Sequence, residues 1–106
     1  MKYSEKVKRS KELLSVIQSL EDNEIIKVIY GKGYEGTPNV YAIKAYASSK
    51  GVMSYSIWNN YSGMNISSLG PTTAKAYTYD MMSQRTNYSF PLYEMTIVGD
   101  DEKEVV

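Results

Sequence analysis

No cysteine and no histidine occur among the 106 residues, and no other feature limits so strongly what this chain can fold into. A disulfide scaffold is impossible, and so is a zinc centre built on cysteine and histidine. The fold must rest on packed apolar side chains. A chain of this length buries about two-thirds of its unfolded surface, enough for one small domain with little surplus. The same absences limit the chemistry. A thiolate nucleophile and a histidine-based triad are excluded, so any general base would be a carboxylate, lysine or tyrosine. The expectation is a protein that is not an enzyme and uses no cofactor.

Charge and hydropathy narrow the class further. Twelve Lys and Arg balance twelve Asp and Glu, which disfavours a strongly basic nucleic-acid binder. No stretch approaches the ~20 apolar residues of a membrane span, and the first residues lack the apolar run of a signal peptide. The expected location is cytoplasmic, with no membrane partner. Eleven tyrosines stand against one phenylalanine and one tryptophan. Tyrosine joins an apolar ring to a polar tip, so it suits half-wet positions and interfaces.

Periodicity predicts an α+β domain over residues 1–98, in the order α-β-β-β-α-β, with two helices on an antiparallel sheet of three to four strands. The first helix carries Leu13, Leu14, Val16, Ile17 and Leu20 on one side, with Val7 at its edge and Lys6 projecting onto the same side. Ser4 is the expected N-cap, and Asn23 the left-handed stop. Residues 24–30, 40–47 and 52–59 read as strands, the last two as a hairpin. Residues 60–70 read as a polar loop. A second helix is expected from Gly70-Pro71, with Ala74, Tyr77, Met81 and Arg85 on one side and Tyr79 on the other. Asn87 would stop it, and residues 89–98 would form a last strand. Residues 99–106 read as an acidic, mobile tail of net charge −3, against +3 over residues 1–12.

Several motifs dissolve on inspection. The segment 31–36, GKGYEG, matches G-x-G-x-x-G, but Pro38 and a following strand leave no helix to meet a pyrophosphate. It reads as a turn. Glu35, Asp80 and Glu94 fall on separate elements with no spacing that points to acid–base work, and no metal site is expected. The strongest candidate surface is Trp58, Asn59, Asn60 and Tyr61, where aromatic anchors adjoin short hydrogen-bonding side chains. Tyr34, Tyr79, Arg85 and Tyr88 extend it.

The α-β-β-β-α order is similar to that of the double-stranded-RNA-binding domain, and Gly70-Pro71-Thr72-Thr73-Ala74-Lys75-Ala76 resembles the opening of that family's second helix. The resemblance implies a lysine cluster on phosphates. Only Lys75 is present, residues 48–51 lack the family's Gly-Pro-x-His signature, and the extra last strand departs from the pattern. In composition the chain resembles accessory proteins of bacterial viruses, which implies a binding protein that inhibits a host or defence enzyme. The expected function is surface recognition of a protein partner. The alternative is a nucleic-acid or nucleotide-binding module with stacked tyrosines and a few Lys and Arg. A purely structural homo-oligomer is the third class.

Overall fold

The computed structural model describes residues 1–98; the expected acidic tail lies outside the described residues. The chain forms one helix, α1 (Tyr3–Gln18), followed by seven strands. These are β1 (Ile25–Lys32), β2 (Pro38–Ala47), β3 (Met53–Trp58), β4 (Gly63–Leu69), β5 (Thr73–Tyr79), β6 (Arg85–Pro91) and β7 (Thr96–Val98). Short 3-10 turns at Tyr34–Gly36 and Leu92–Glu94 complete the order. All seven strands join one antiparallel sheet in the order β6-β5-β4-β3-β2-β1-β7.

The expected α+β fold with two helices and three to four strands is therefore corrected to a mostly-β fold. The polar loop of residues 60–70 contains β4, and the expected second helix is the β5–β6 hairpin. The physical reason lies in two competing periods. Ala74, Tyr77 and Met81 recur at helical spacing, but Ala74 and Ala76 recur at spacing two and are the buried pair. Thr73, Tyr77, Thr78 and Tyr79 favour the extended chain. Asp80 then closes a turn, its Oδ1 accepting from the Met82 and Gln84 amides at 2.8 and 2.9 Å. Gly70 and Pro71 sit in the β4–β5 connection, where the Gly70 amide donates to the Thr73 carbonyl at 2.8 Å. Proline at this point opens a turn, not a helix.

The sheet is strongly curled. Tyr30 on β1 and Phe90 on β6 are five strands apart along the sheet, which spans roughly 24 Å when flat. Their ring centroids are 6.0 Å apart, and Tyr41 on β2 meets Phe90 at 5.5 Å. The sheet is thus a half-barrel whose concave side closes over these rings. Curling also explains how the short Leu92–Glu94 turn carries the chain from β6 at one edge to β7 at the other. Leu92 and Met95 are buried where that turn passes α1.

Helix α1 fills the concavity. Ser10, Leu13 and Ile17 are its buried residues, and Leu13 and Ile17 join one core cluster with Val28, Ile43, Ile57, Met64 and Phe90. Lys6, expected on the same side, places its ammonium 5.2 Å from the Tyr93 ring centroid. A long stem with its charge over an aromatic face reconciles lysine with that position. Two end signals differ from expectation. Lys2, not Ser4, is the N-cap, without a side-chain cap bond. Asn23 has φ 69°, as a left-handed residue, but it belongs to the turn into β1, where its amide donates to the Ala45 carbonyl at 2.8 Å. The β2–β3 hairpin forms as expected, closed by a bond from the Ser48 amide to the Val52 carbonyl.

Candidate binding surface

With α1 on the concave side, the convex, outer side of the sheet leaves Tyr46, Lys75, Tyr79 and Arg85 exposed. Register assigns its residues, because directly opposed residues share a face. One row across the outer side runs Gly63, Trp58, Ala42 and Lys27. The next runs Asn87, Tyr77, Asn65, Ser56, Lys44 and Ile25. Tyr46 and Lys75 lie further along the same side, and the pair Tyr79 and Arg85 lies at the β5–β6 end.

Small neighbours shape the aromatic positions. Trp58 stands between Gly63 and Ala42 in its row, so its indole is half-buried and has room to lie flat. The Arg85 guanidinium lies 4.2 Å from the Tyr77 ring centroid, and its Nε donates to Asn87 Oδ1 at 2.8 Å. Tyr77 meets Tyr79 edge-on at 5.7 Å. The Lys44 ammonium lies 5.0 Å from the Tyr46 ring centroid. Each cation is thus held beside an aromatic face by an attraction that leaves it charged.

Charge is sorted by element. None of the seven strands contains an aspartate or glutamate, whereas Lys27, Lys32, Lys44, Lys75 and Arg85 all lie on strands. The described carboxylates sit on α1, in the turns and in the 3-10 segments: Glu5, Glu12, Glu21, Asp22, Glu24, Glu35, Asp80 and Glu94. A neutral chain therefore carries a basic, aromatic sheet surface.

The expected site residues divide among several places. Trp58 lies on the outer face, and Tyr79 and Arg85 lie on it together. Asn59 is the clamp of the β3–β4 turn: its Oδ1 accepts from the Tyr61 and Ser62 amides, both at 2.9 Å. That side chain serves the turn before any partner. Asn60 and Tyr61 are exposed at the tip, Tyr61 to 84%. Tyr88 opposes Ala76, so it belongs to the concave side and does not join Trp58. Tyr34 begins a 3-10 turn, and its side chain lies outside the described residues. Sequence reasoning missed Tyr46, Tyr77, Lys44 and Lys75 as members of one surface. The available signal was the run of carboxylate-free segments in which these residues alternate with small ones.

Open hollows lie elsewhere on the molecule. One of about 530 Å³ is lined by Glu5, Lys8, Arg9 and Glu12 on α1. Another, of about 310 Å³, lies over β3 and β4 beside Met53, Tyr55, Ile66 and Leu69. Among the described residues, no group of three or more Asp and Glu is placed to hold a metal ion, and no helix is long and apolar enough to cross a membrane. Comparison of the chain with known protein families, with characterised proteins and with solved structures found no match.

Proposed function

We propose that this protein is a non-enzymatic binding module that recognises an anionic macromolecule through the outer face of its sheet. The observation that carries this reading is the sorting of charge. Four cations, Lys27, Lys44, Lys75 and Arg85, share a face with Trp58, Tyr46, Tyr77 and Tyr79, and no strand contributes a carboxylate. Such a surface attracts negative charge even though the whole chain is neutral. A chain without histidine or cysteine supports the non-enzymatic part, and the lack of cysteine suits a reducing compartment such as the cytosol.

Retention on immobilised heparin tests the reading. Wild type should be held at low salt, and Lys44→Gln/Lys75→Gln/Arg85→Gln should elute well before it. Equal retention of the two would contradict the assignment of the face.

A second reading is favoured by a different observation. Met81 is fully exposed and Met82 largely so at the tip of the β5–β6 hairpin, and Tyr61 is exposed on the β3–β4 turn. Exposed methionine and tyrosine are residues of adaptable protein interfaces. In this reading the tips engage a protein partner, such as a host or defence enzyme to be inhibited. Tyr61→Ala/Met81→Ala/Met82→Ala should then lose a partner captured by wild type near one-to-one, while the outer-face glutamine variant keeps it.

A further inference from the structure

The geometry points to single-stranded nucleic acid as the ligand of the outer face, with bases stacked on Trp58, Tyr77 and Tyr46 and phosphates met by Lys44, Lys75 and Arg85. This rests on the outer face being the binding surface, and it names the chemistry that would occupy it. Each class of anionic partner makes a different demand. A sulfated polysaccharide uses cations alone. An acidic protein segment uses cations with scattered apolar contacts. A single strand repeats a flat base and a charged phosphate in alternation, and this face alternates rings with cations in the same way.

Register supplies the spacing. Tyr77 and Lys44 occupy the same row, on β5 and β2. Trp58 lies two residues to one side of that row on β3, and Tyr46 lies two residues to the other side on β2. Strand separation and rise place Tyr77 about 12 Å from Trp58, and Tyr46 about 14 Å from it. Platforms at that separation catch occasional bases, and the nucleotides between them carry phosphates past the cations. Arg85 contributes twice: its guanidinium covers the Tyr77 ring at 4.2 Å from the centroid, so a base at this platform stacks on the guanidinium that Tyr77 backs, beside the charge that meets the phosphate.

A duplex fits poorly. Reading a groove needs a helix, ribbon or arm that projects into it. The outer face carries only strand residues, and Trp58 and Tyr77 are half-buried within it. Paired bases would keep their flat faces stacked on one another. Unpaired bases would be free to turn onto the rings, as on other aromatic sheet surfaces.

Binding of labelled oligothymidylate and oligouridylate of about twelve nucleotides, within the range of roughly 4–16 that one small domain covers, tests the proposal. Fluorescence anisotropy with the full chain would be followed over a series of salt concentrations. Duplex DNA and heparin would be added as competitors. Both or either single strand should bind, and log K should fall against log salt with a slope of about −2, as expected for three phosphate contacts on a single strand. Trp58→Leu and Tyr77→Leu should each weaken binding about tenfold or more with the slope unchanged. The exposed Tyr46→Ala gives the same readout at a position where folding is not at risk. Lys44→Gln/Lys75→Gln/Arg85→Gln should flatten the slope to near zero. Circular dichroism would establish that each variant is folded. Equal affinity for duplex and single strand, or indifference to all three aromatic substitutions, would overturn the proposal. Heparin binding that depends on the same cations, without single-strand binding, would also overturn it while sustaining the broader reading of an anionic partner. Loss of both would remove the two together.

Discussion

Ser10 shows how a single atom can work against the fold. It is fully buried on α1 between turns that carry Lys6 and Leu13, and its Oγ has no hydrogen-bond partner. A small side chain lets the helix approach the sheet, but the hydroxyl loses its water without replacement. Ser10→Ala keeps the size, removes the stranded hydroxyl and raises helix propensity. It should stabilise the protein by about 0.5–1.5 kcal/mol, read as a higher urea midpoint. A lower midpoint would show that the hydroxyl is satisfied in solution. Tyr30 makes a comparable point about charge. Burial, and secondarily the Glu94 carboxylate, hold its phenol above the ordinary tyrosine value. Folding therefore favours the protonated ring. That contribution is complete below the unfolded value of about 10 and is lost as pH rises through the higher folded value. The urea midpoint should fall above about pH 10, and less steeply in Glu94→Gln than in wild type. Parallel curves would remove Glu94 from the account.

At the scale of elements, legibility followed contrast. Helix α1 was readable because Leu13 and Ile17 recur at helical spacing between charged residues, and β1 to β3 because Ile, Val and Tyr alternate with polar or small residues. Strands β4 to β6 were not readable, because their inward positions mix Met64, Ala74, Ala76 and Phe90 with Thr78, Thr86 and Tyr88, while Asn65, Lys75, Tyr77 and Tyr79 stand on the other side. Low contrast let a helical period compete with a period of two, and Pro71 imitated a helix start. The connection that misled the sequence reading is structurally exacting. Gly70 has φ 77°, and a Cβ there would lie 2.7 Å from Leu14 Cδ2 on α1. Gly70→Ala meets both a disfavoured backbone and a collision with the helix. It should lower stability by roughly 1–3 kcal/mol, measured by thermal or urea unfolding. An unchanged midpoint would mean that helix and turn are looser than their close approach indicates.

The whole molecule is arranged so that one side of a curled sheet is spent on the core and the other is left as a surface. The candidate site was partly legible for the same reason that the fold was. Trp58, Tyr79 and Arg85 could be singled out as residues, yet their shared face with Tyr77, Tyr46, Lys44 and Lys75 depends on register across five strands, β2 to β6, which no local pattern reports. Tyr88, one residue from Asn87 in the chain, falls on the opposite side because strand side chains alternate. Net charge was equally uninformative, since it averages a basic sheet with an acidic set of turns. The most direct test uses the chain's single tryptophan, which stands on the outer face itself. Titration of the wild-type protein with oligothymidylate should quench Trp58 fluorescence saturably, with the midpoint moving to higher ligand as salt is raised. Oligonucleotide binding detected by anisotropy with no change in Trp58 emission would contradict the account, because the ligand would then sit elsewhere on the molecule.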